Sequence, residues 1–371
     1  MSLLPGFATP EGTFRYQSRY QKQFPEGYFR ERSGLWFSSI GIGSYLGEPD
    51  HETDTAYEEA LKEALSSGIN VVDSAINYRA QRSERSFGRA IAALIQSGIV
   101  RRDEIIVCTK AGFLPFDQAY PRDPSGYFRK AYIETGILNP EDIVQGCHAM
   151  SPSYLEDQLS RSLKNLGLET IDVYYLHNPE TQLAEVDRAA FVERLRKAFK
   201  WCEEKVDSGK IRAYGTATWT GYRISPQDKD YLSLQEIVLI AREAGGPDHH
   251  FRFVQLPFNL AMSEAWITAN QAYGANQVPL LGMAERVGVH VIGSASLLQA
   301  HLAGQLPAEF TSQFPNLRTA AQCSLQFARS VPGMTTSLVG MKNSIHVKEN
   351  VEVARVPALS EGELFNLFQQ K

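Results

Sequence analysis

The chain has 371 residues, 43% of them apolar and 21% charged, with a formal net charge of −5. That apolar content can fill a large core. The mild acidity argues against a nucleic-acid or membrane-surface partner, because phosphate recognition needs a basic excess. No stretch reaches the ~20 apolar residues of a membrane span. Residues 1–6 carry no basic region leading into an apolar run, so the expected location is cytoplasmic. Cys108, Cys147, Cys202 and Cys323 form no C-x-x-C pair and read as reduced thiols.

Residues 1–26 are rich in aromatics and turn formers and predict an irregular arm packed on the body. The segments 28–32 and 35–39, joined by Ser33-Gly34, predict a hairpin. From Ile40 an alternation begins. Strands are expected at 39–43, 70–73, 104–109, 170–176, 212–218, 253–256, 290–294 and 337–339, with helical patterns between them. Ser153 with Glu156, and Ser233 with Glu236, are capping-box signatures, and Gly167 reads as a helix stop. Eight buried strands alternating with helices predict an α/β fold, a (β/α)8 barrel with an N-terminal hairpin. An open doubly wound sheet is the alternative, weakened by the lack of G-x-G-x-x-G after the first strand. The expected organisation is an arm over 1–32 and a single barrel domain over 33–371. Two stretches break the alternation: 112–150, read as either a lid or a decoration of the rim, and 214–230, which holds Trp219.

Four ionisable residues fall at or just beyond the ends of consecutive strands: Asp73, Tyr78, Lys110 and His177. In a parallel barrel these ends open on one face. A phenol has an ordinary pKa of about 10. A neighbouring ammonium favours phenolate and a carboxylate fixes the ammonium, so the expectation is a tyrosine tuned downward to exchange a proton with a carbonyl or alcohol. A histidine beside it can hold the same oxygen. His177 has no second ligand at metal spacing, so no metal is expected.

From Ser33 to Val353 the chain resembles the aldo-keto reductase family. The similarity is carried by Ser33-Gly34-Leu35 through Gly43, by Gly68 to Asp73 with Tyr78 and Ser83-Glu84, and by Ser162 to Leu168 through His177. Gly209 to Gly215 and Gly340-Met341-Lys342-Asn343 with Glu349-Asn350 continue it. The resemblance implies a catalytic tetrad of Asp73, Tyr78, Lys110 and His177, and the cofactor NADP, with NAD as the alternative. It implies cofactor contacts at Gly43, Ser44, Tyr45, Thr218, Gln255, Ser294, Ala295, Ser296, Leu297, Gly340, Lys342, His346, Glu349 and Asn350. Trp219 and Asn178 are the implied substrate contacts, for a small carbonyl or sugar. Ser294 stands where the family commonly places an aromatic ring, which resembles its sugar-dehydrogenase branch. Ala217-Thr218 replaces a Ser-Asn pair, and His346 replaces an arginine. A regulatory protein that kept the cofactor site and a Schiff-base enzyme using Lys110 are the competing expectations.

Overall fold

The computed structural model describes residues 3–304, 306–314 and 316–368. Residues 1 and 2 of the segment read for a leader, and the last three residues of the barrel's expected span, lie outside the described residues. Eight parallel strands close into a barrel. In chain order they are β1 (Ile40–Gly43), β2 (Val71–Asp73), β3 (Ile106–Ala111), β4 (Ile171–His177), β5 (Ile211–Ala217), β6 (Phe251–Pro257), β7 (His290–Ser294) and β8 (Met334–Gly340). The barrel closes where β8 pairs with β1, from Ser337↔Ile40 to Gly340↔Gly43. The expected strands are all present, shifted by a few residues at their ends.

Side chains alternate across a strand, and the inward set here is apolar at depth and polar at the C-terminal end. Val71, Ile106, Cys108, Val173, Tyr175, Phe253, Ile292 and Leu338 fill the interior. Two positions further along the same faces stand Asp73, Lys110, His177 and Gln255. Burial holds the Cys108 thiol well above its usual range, which suits a packing role. Gly41 makes room at this level, since a Cβ there would lie 2.7 Å from Leu338 Cδ2.

Helices cover the outside, among them α2 (His51–Ser66), α3 (Arg82–Gln96), α4 (Pro152–Leu166), α5 (Arg188–Asp207) and α6 (Leu234–Gly245). Ser233 caps α6 as expected, accepting from the Glu236 amide. Ser153 does not cap α4. Pro152 begins that helix, and the Ser153 hydroxyl donates instead to the Ile137 carbonyl. Gly167 ends α4 in the left-handed region at φ 67°. The hairpin pairs Phe29–Arg32 with Leu35–Ser38 across Ser33 (φ 50°) and Gly34 (φ 82°), the left-handed pair that a two-residue turn needs. A second small hairpin, Gln271–Tyr273 with Asn276–Val278, was not anticipated.

The arm is not irregular. It holds helix α1 (Pro10–Tyr20), capped by Thr9 with Pro10 at its first position. The 112–150 segment also has structure: a helix at Pro124–Phe128, a wide turn at Arg129–Ile133 and a short turn at Pro140–Asp142. Phe116 stacks on Phe128 with centroids 4.7 Å apart, and Tyr132 packs on Tyr154. Among the described residues no helix is long and apolar enough to cross a membrane.

Candidate active site

The C-terminal ends of the strands surround a cleft of about 500 Å³. Asp73 enters it as the last residue of β2, and Lys110 comes from β3. The register pairs Asp73 with Cys108, so Lys110, two residues on, shares the inward face one step higher. Lys110 Nζ donates to Asp73 Oδ1 at 2.5 Å and to the Ser74 carbonyl at 2.7 Å. Gln255 Nε2, from across the barrel, donates to Asp73 Oδ2 at 2.9 Å. Both carboxylate oxygens are therefore engaged, and the buried ammonium has a partner.

Tyr78 hangs over this pair. Its ring centre is 5.2 Å from Lys110 Nζ. His177, the last residue of β4, meets it edge-on with centroids 5.8 Å apart, and Tyr45 approaches from the other side at 5.0 Å. The four strand-end residues therefore converge as the sequence predicts.

Their titration follows from burial and charge. Burial pushes the Tyr78 phenol up, and Asp73 adds to this while Lys110 pulls the other way. The net direction is upward, opposite to the downward tuning expected, because desolvation outweighs one ammonium already neutralised by Asp73. Burial pulls Lys110 down, but Asp73 and Tyr78 together hold it above its usual value. Burial raises Asp73 against the pull of Lys110 and Gln255. His177 is driven well below its usual value by burial first, then by Lys110 and His148, so it is neutral.

Gly43, Ser44, Tyr45, Thr218, Gln255, Ser294, Ala295, Ser296, Leu297 and Gly340 all line the cleft, as do Trp219 and Asn178. Lys342, His346, Glu349 and Asn350 do not. Lys342 and His346 are exposed beyond β8, and Asn350 is buried in the helix Ser344–Ala354. The half-buried Glu349 accepts from the Thr319 hydroxyl. Phe113 reaches the cleft, whereas Phe116 packs within its own segment and Tyr120 is exposed. Sequence reasoning missed Leu46, Asn77, Gln299, Ala300, Leu338 and Val339 in the lining. The first four lie in loops, where no periodicity marks them, and the last two belong to a strand read only for its fold.

Residues 39–230, half of the chain, match the aldo/keto reductase family. The chain belongs to the aldo/keto reductase family. This aldo/keto reductase is 25% identical over 343 residues to a putative voltage-gated potassium channel subunit beta from Schizosaccharomyces pombe, covering 87% of this chain and 86% of that protein. It is 30% identical over 181 residues to aldo-keto reductase yakc (NADP(+)) of the same yeast, covering 49% of this chain and 41% of that one. Among solved structures it resembles an aldo/keto reductase from Klebsiella pneumoniae in complex with NADP and acetate. The TM-score there is 0.61 at 19% identity, over 90% of this chain and 91% of that one. This last likeness concerns the fold.

Proposed function

We propose that this aldo/keto reductase is an NADP(H)-dependent oxidoreductase acting on a carbonyl or alcohol group of a small molecule, with Tyr78 as general acid and base. One observation carries the reading: the phenol, Asp73 and the neutral imidazole of His177 line one cleft, with the Lys110 ammonium buried directly behind them on Asp73. Burial keeps the phenol protonated, the state needed to give a proton to a carbonyl oxygen. The Lys110 charge lowers the cost of the phenolate left behind, and Asp73 keeps Lys110 charged in its buried position. Neutral His177 can donate a ring N–H to the same oxygen and orient it. Phe113 and the partly exposed Trp219 supply the apolar walls, and Asn77 and Asn178 the polar contacts, for an aldehyde, ketone or sugar.

The residues present fit the cofactor used by the family. Among the described residues, Thr218 Oγ1, Ser296 Oγ and His177 Nδ1 are buried without hydrogen-bond partners. Such atoms cost about 1–3 kcal/mol each unless a ligand satisfies them. Thr218, Gln255 and the run from Ser294 to Leu297 would hold the nicotinamide end, with Gly43, Ser44, Tyr45 and Gly340 at the rim. Lys342 and His346, exposed just beyond β8, would meet the adenosine end of a cofactor that runs out of the cleft, supplying cationic or polar contacts to a 2′-phosphate. When bound, the nicotinamide supplies the two-electron redox chemistry.

The test is a nicotinamide absorbance assay with NADPH and NADH against aldehydes, ketones and aldoses. Tyr78→Phe is expected to lower kcat by about 100-fold or more, with cofactor affinity within twofold of the parent. Unimpaired turnover in that variant would end the assignment. A second reading, a cofactor-binding regulatory protein with little turnover, is favoured by the relative named as a channel subunit, whose match spans most of both chains. Tight NADP(H) binding with no turnover on any substrate class would establish it.

A further inference from the structure

As a lid or a decoration of the rim, the 112–150 segment would need no buried polar group of its own. Its most buried polar group points to a different use. His148 is fully buried near the end of that segment, and its backbone is fixed by Val144 and by Gly112, whose carbonyl accepts from Ala149. Its ring lies between two partners: Nε2 is 2.8 Å from the carbonyl oxygen of His177, and Nδ1 is 2.8 Å from Gln182 Nε2. Gln182 in turn accepts from Arg194 through Oε1. Arg194 itself is held by the Glu141 carbonyl at 2.8 Å.

This chain has only one consistent direction. A guanidinium donates and never accepts, so Gln182 must turn its oxygen to Arg194 and its NH2 to His148. Nδ1 of His148 is then the acceptor. A neutral imidazole has one acceptor and one donor nitrogen, so Nε2 carries the hydrogen and donates it to the His177 carbonyl. Burial drives His148 down to about 4, so the ring is neutral at ordinary pH.

The contact falls where the backbone most needs fixing. His177↔Ala217 is the last registered pair of β4 with β5, and Asn178 immediately turns left-handed at φ 48°. Gly112 leaves room for the contact: a Cβ there would lie 2.3 Å from the His177 carbonyl oxygen and 2.8 Å from His148 Nε2. Phe113 stands edge-on to both imidazoles, with centroids 5.1 and 5.3 Å away.

We propose that His148 is a positioning residue for His177: in the tautomer imposed by Arg194 and Gln182, its Nε2–H holds the His177 carbonyl and so sets how the His177 ring faces a substrate oxygen. The 112–150 segment contributes to the site by anchoring this ring. The kinetic part of the proposal rests on the oxidoreductase reading, but the tautomer does not.

Two measurements test it separately. In imidazole nitrogen NMR of the full-length protein, His148 is expected as the Nε2–H tautomer. Gln182→Glu sets a carboxylate against Nδ1 while the His177 carbonyl still accepts at Nε2, so the ring is expected to carry both hydrogens and both His148 nitrogens should give protonated signals. His148 found as Nδ1–H in the parent, or His177 ring signals unmoved in His148→Leu, would overturn the proposal whether or not the protein turns over. In the absorbance assay, His148→Leu is expected to lower kcat by about 10- to 100-fold, since small misplacements of a catalytic group carry that cost. KM and cofactor affinity should stay within about twofold. His148→Gln, which can still donate to the carbonyl, should recover most of the loss. Equal kcat in His148→Leu and the parent would refute the positioning role. Failure of the parent to turn over would count against the proposed function and leave the spectroscopic result to decide His148.

Discussion

Glu180 lies behind the cleft wall, fully buried, just past His177. Its Oε1 accepts from the Trp219 amide at 2.7 Å and the Thr220 amide at 3.2 Å, tying the loop after β4 to the loop after β5. Oε2 has no partner. Burial raises its pKa from 4.5 to about 7, with backbone amides from Trp219, Thr220 and Gly221 opposing. The folded chain therefore binds this proton more tightly than the unfolded chain. The group costs nothing below about pH 4.5, becomes destabilising as pH rises toward 7, and levels off above that. Gln in its place keeps an acceptor for both amides and never ionises. The stability advantage of Glu180→Gln over the parent is expected to grow by about 2 kcal/mol between pH 5 and pH 8, at 1.36 kcal/mol per pKa unit. Urea unfolding at the two pH values measures it, and an advantage that does not change with pH would contradict it.

At the scale of elements, what could be read from the sequence was whatever repeats. Buried strands ending in a polar residue announce both the barrel and its open face, which is why Asp73, Lys110 and His177 were placed from sequence alone. Glycine stops such as Gly167 mark helix ends because few other residues enter the left-handed region cheaply. The loops followed no such rule. Arg79, Ala80 and Gln81 run left-handed in succession, at φ 49°, 52° and 67°, with no glycine among them. Nothing local predicts this turn, and tertiary contacts hold it. The buried Arg79 guanidinium pairs with Asp54 and donates to the Glu48 and Asp50 carbonyls, and Gln81 reaches the Phe116 carbonyl. The turn directly follows Tyr78 and fixes its approach to the cleft. Arg79→Met keeps the aliphatic stem and removes the charge. Arg82 still pairs with Asp54 at 2.7 Å in this variant, so the expected cost is about 1–3 kcal/mol, that of stranding the carbonyls Arg79 meets. Denaturant unfolding measures this, and a loss below about 0.5 kcal/mol, typical of a surface pair, would show that the ion pair does not hold the turn. Helix α1 was missed for a related reason. Its buried positions Gly12, Thr13, Tyr16 and Tyr20 are not the apolar stripe that signals a helix, and the usable cue was Thr9-Pro10-Glu11, a cap, a proline and a first-turn acid.

At the scale of the molecule, the arm and the barrel share their polar accounting. Helix α2 ends at Ser66 with carbonyls that no intrahelical amide can meet. Three arm tyrosines supply the hydrogens. Tyr16 donates to Leu65 at 2.7 Å and Ile69 at 3.0 Å, Tyr20 to Ser66 at 3.0 Å, and Tyr28 to Gly68 at 3.1 Å. At the N-terminal mouth of the barrel, the Ala8 amide donates to Asp172 Oδ1 at 2.7 Å, while the other oxygen of Asp172 takes Arg102 and the Val107 amide. Arg212 lies over the Phe7 ring at 4.2 Å. Arg15 and Arg19 both reach Glu104. Removing the arm would strand several buried carbonyls and a carboxylate oxygen, each costing about 1–3 kcal/mol. We propose that residues 1–32 and the barrel unfold as one unit. Trypsin cleavage after Arg15 and Arg19 is then expected only through global unfolding, so its rate should rise with urea along the same slope as unfolding of the whole chain. Rapid cleavage at these residues in native buffer, leaving a barrel with unchanged Tm, would show instead that the arm is a separable attachment. Tyr16→Phe sharpens the test, because it leaves the Leu65 and Ile69 carbonyls without their donor at almost no change in shape. It should lower the stability of the whole chain, cleft included, by about 1–3 kcal/mol.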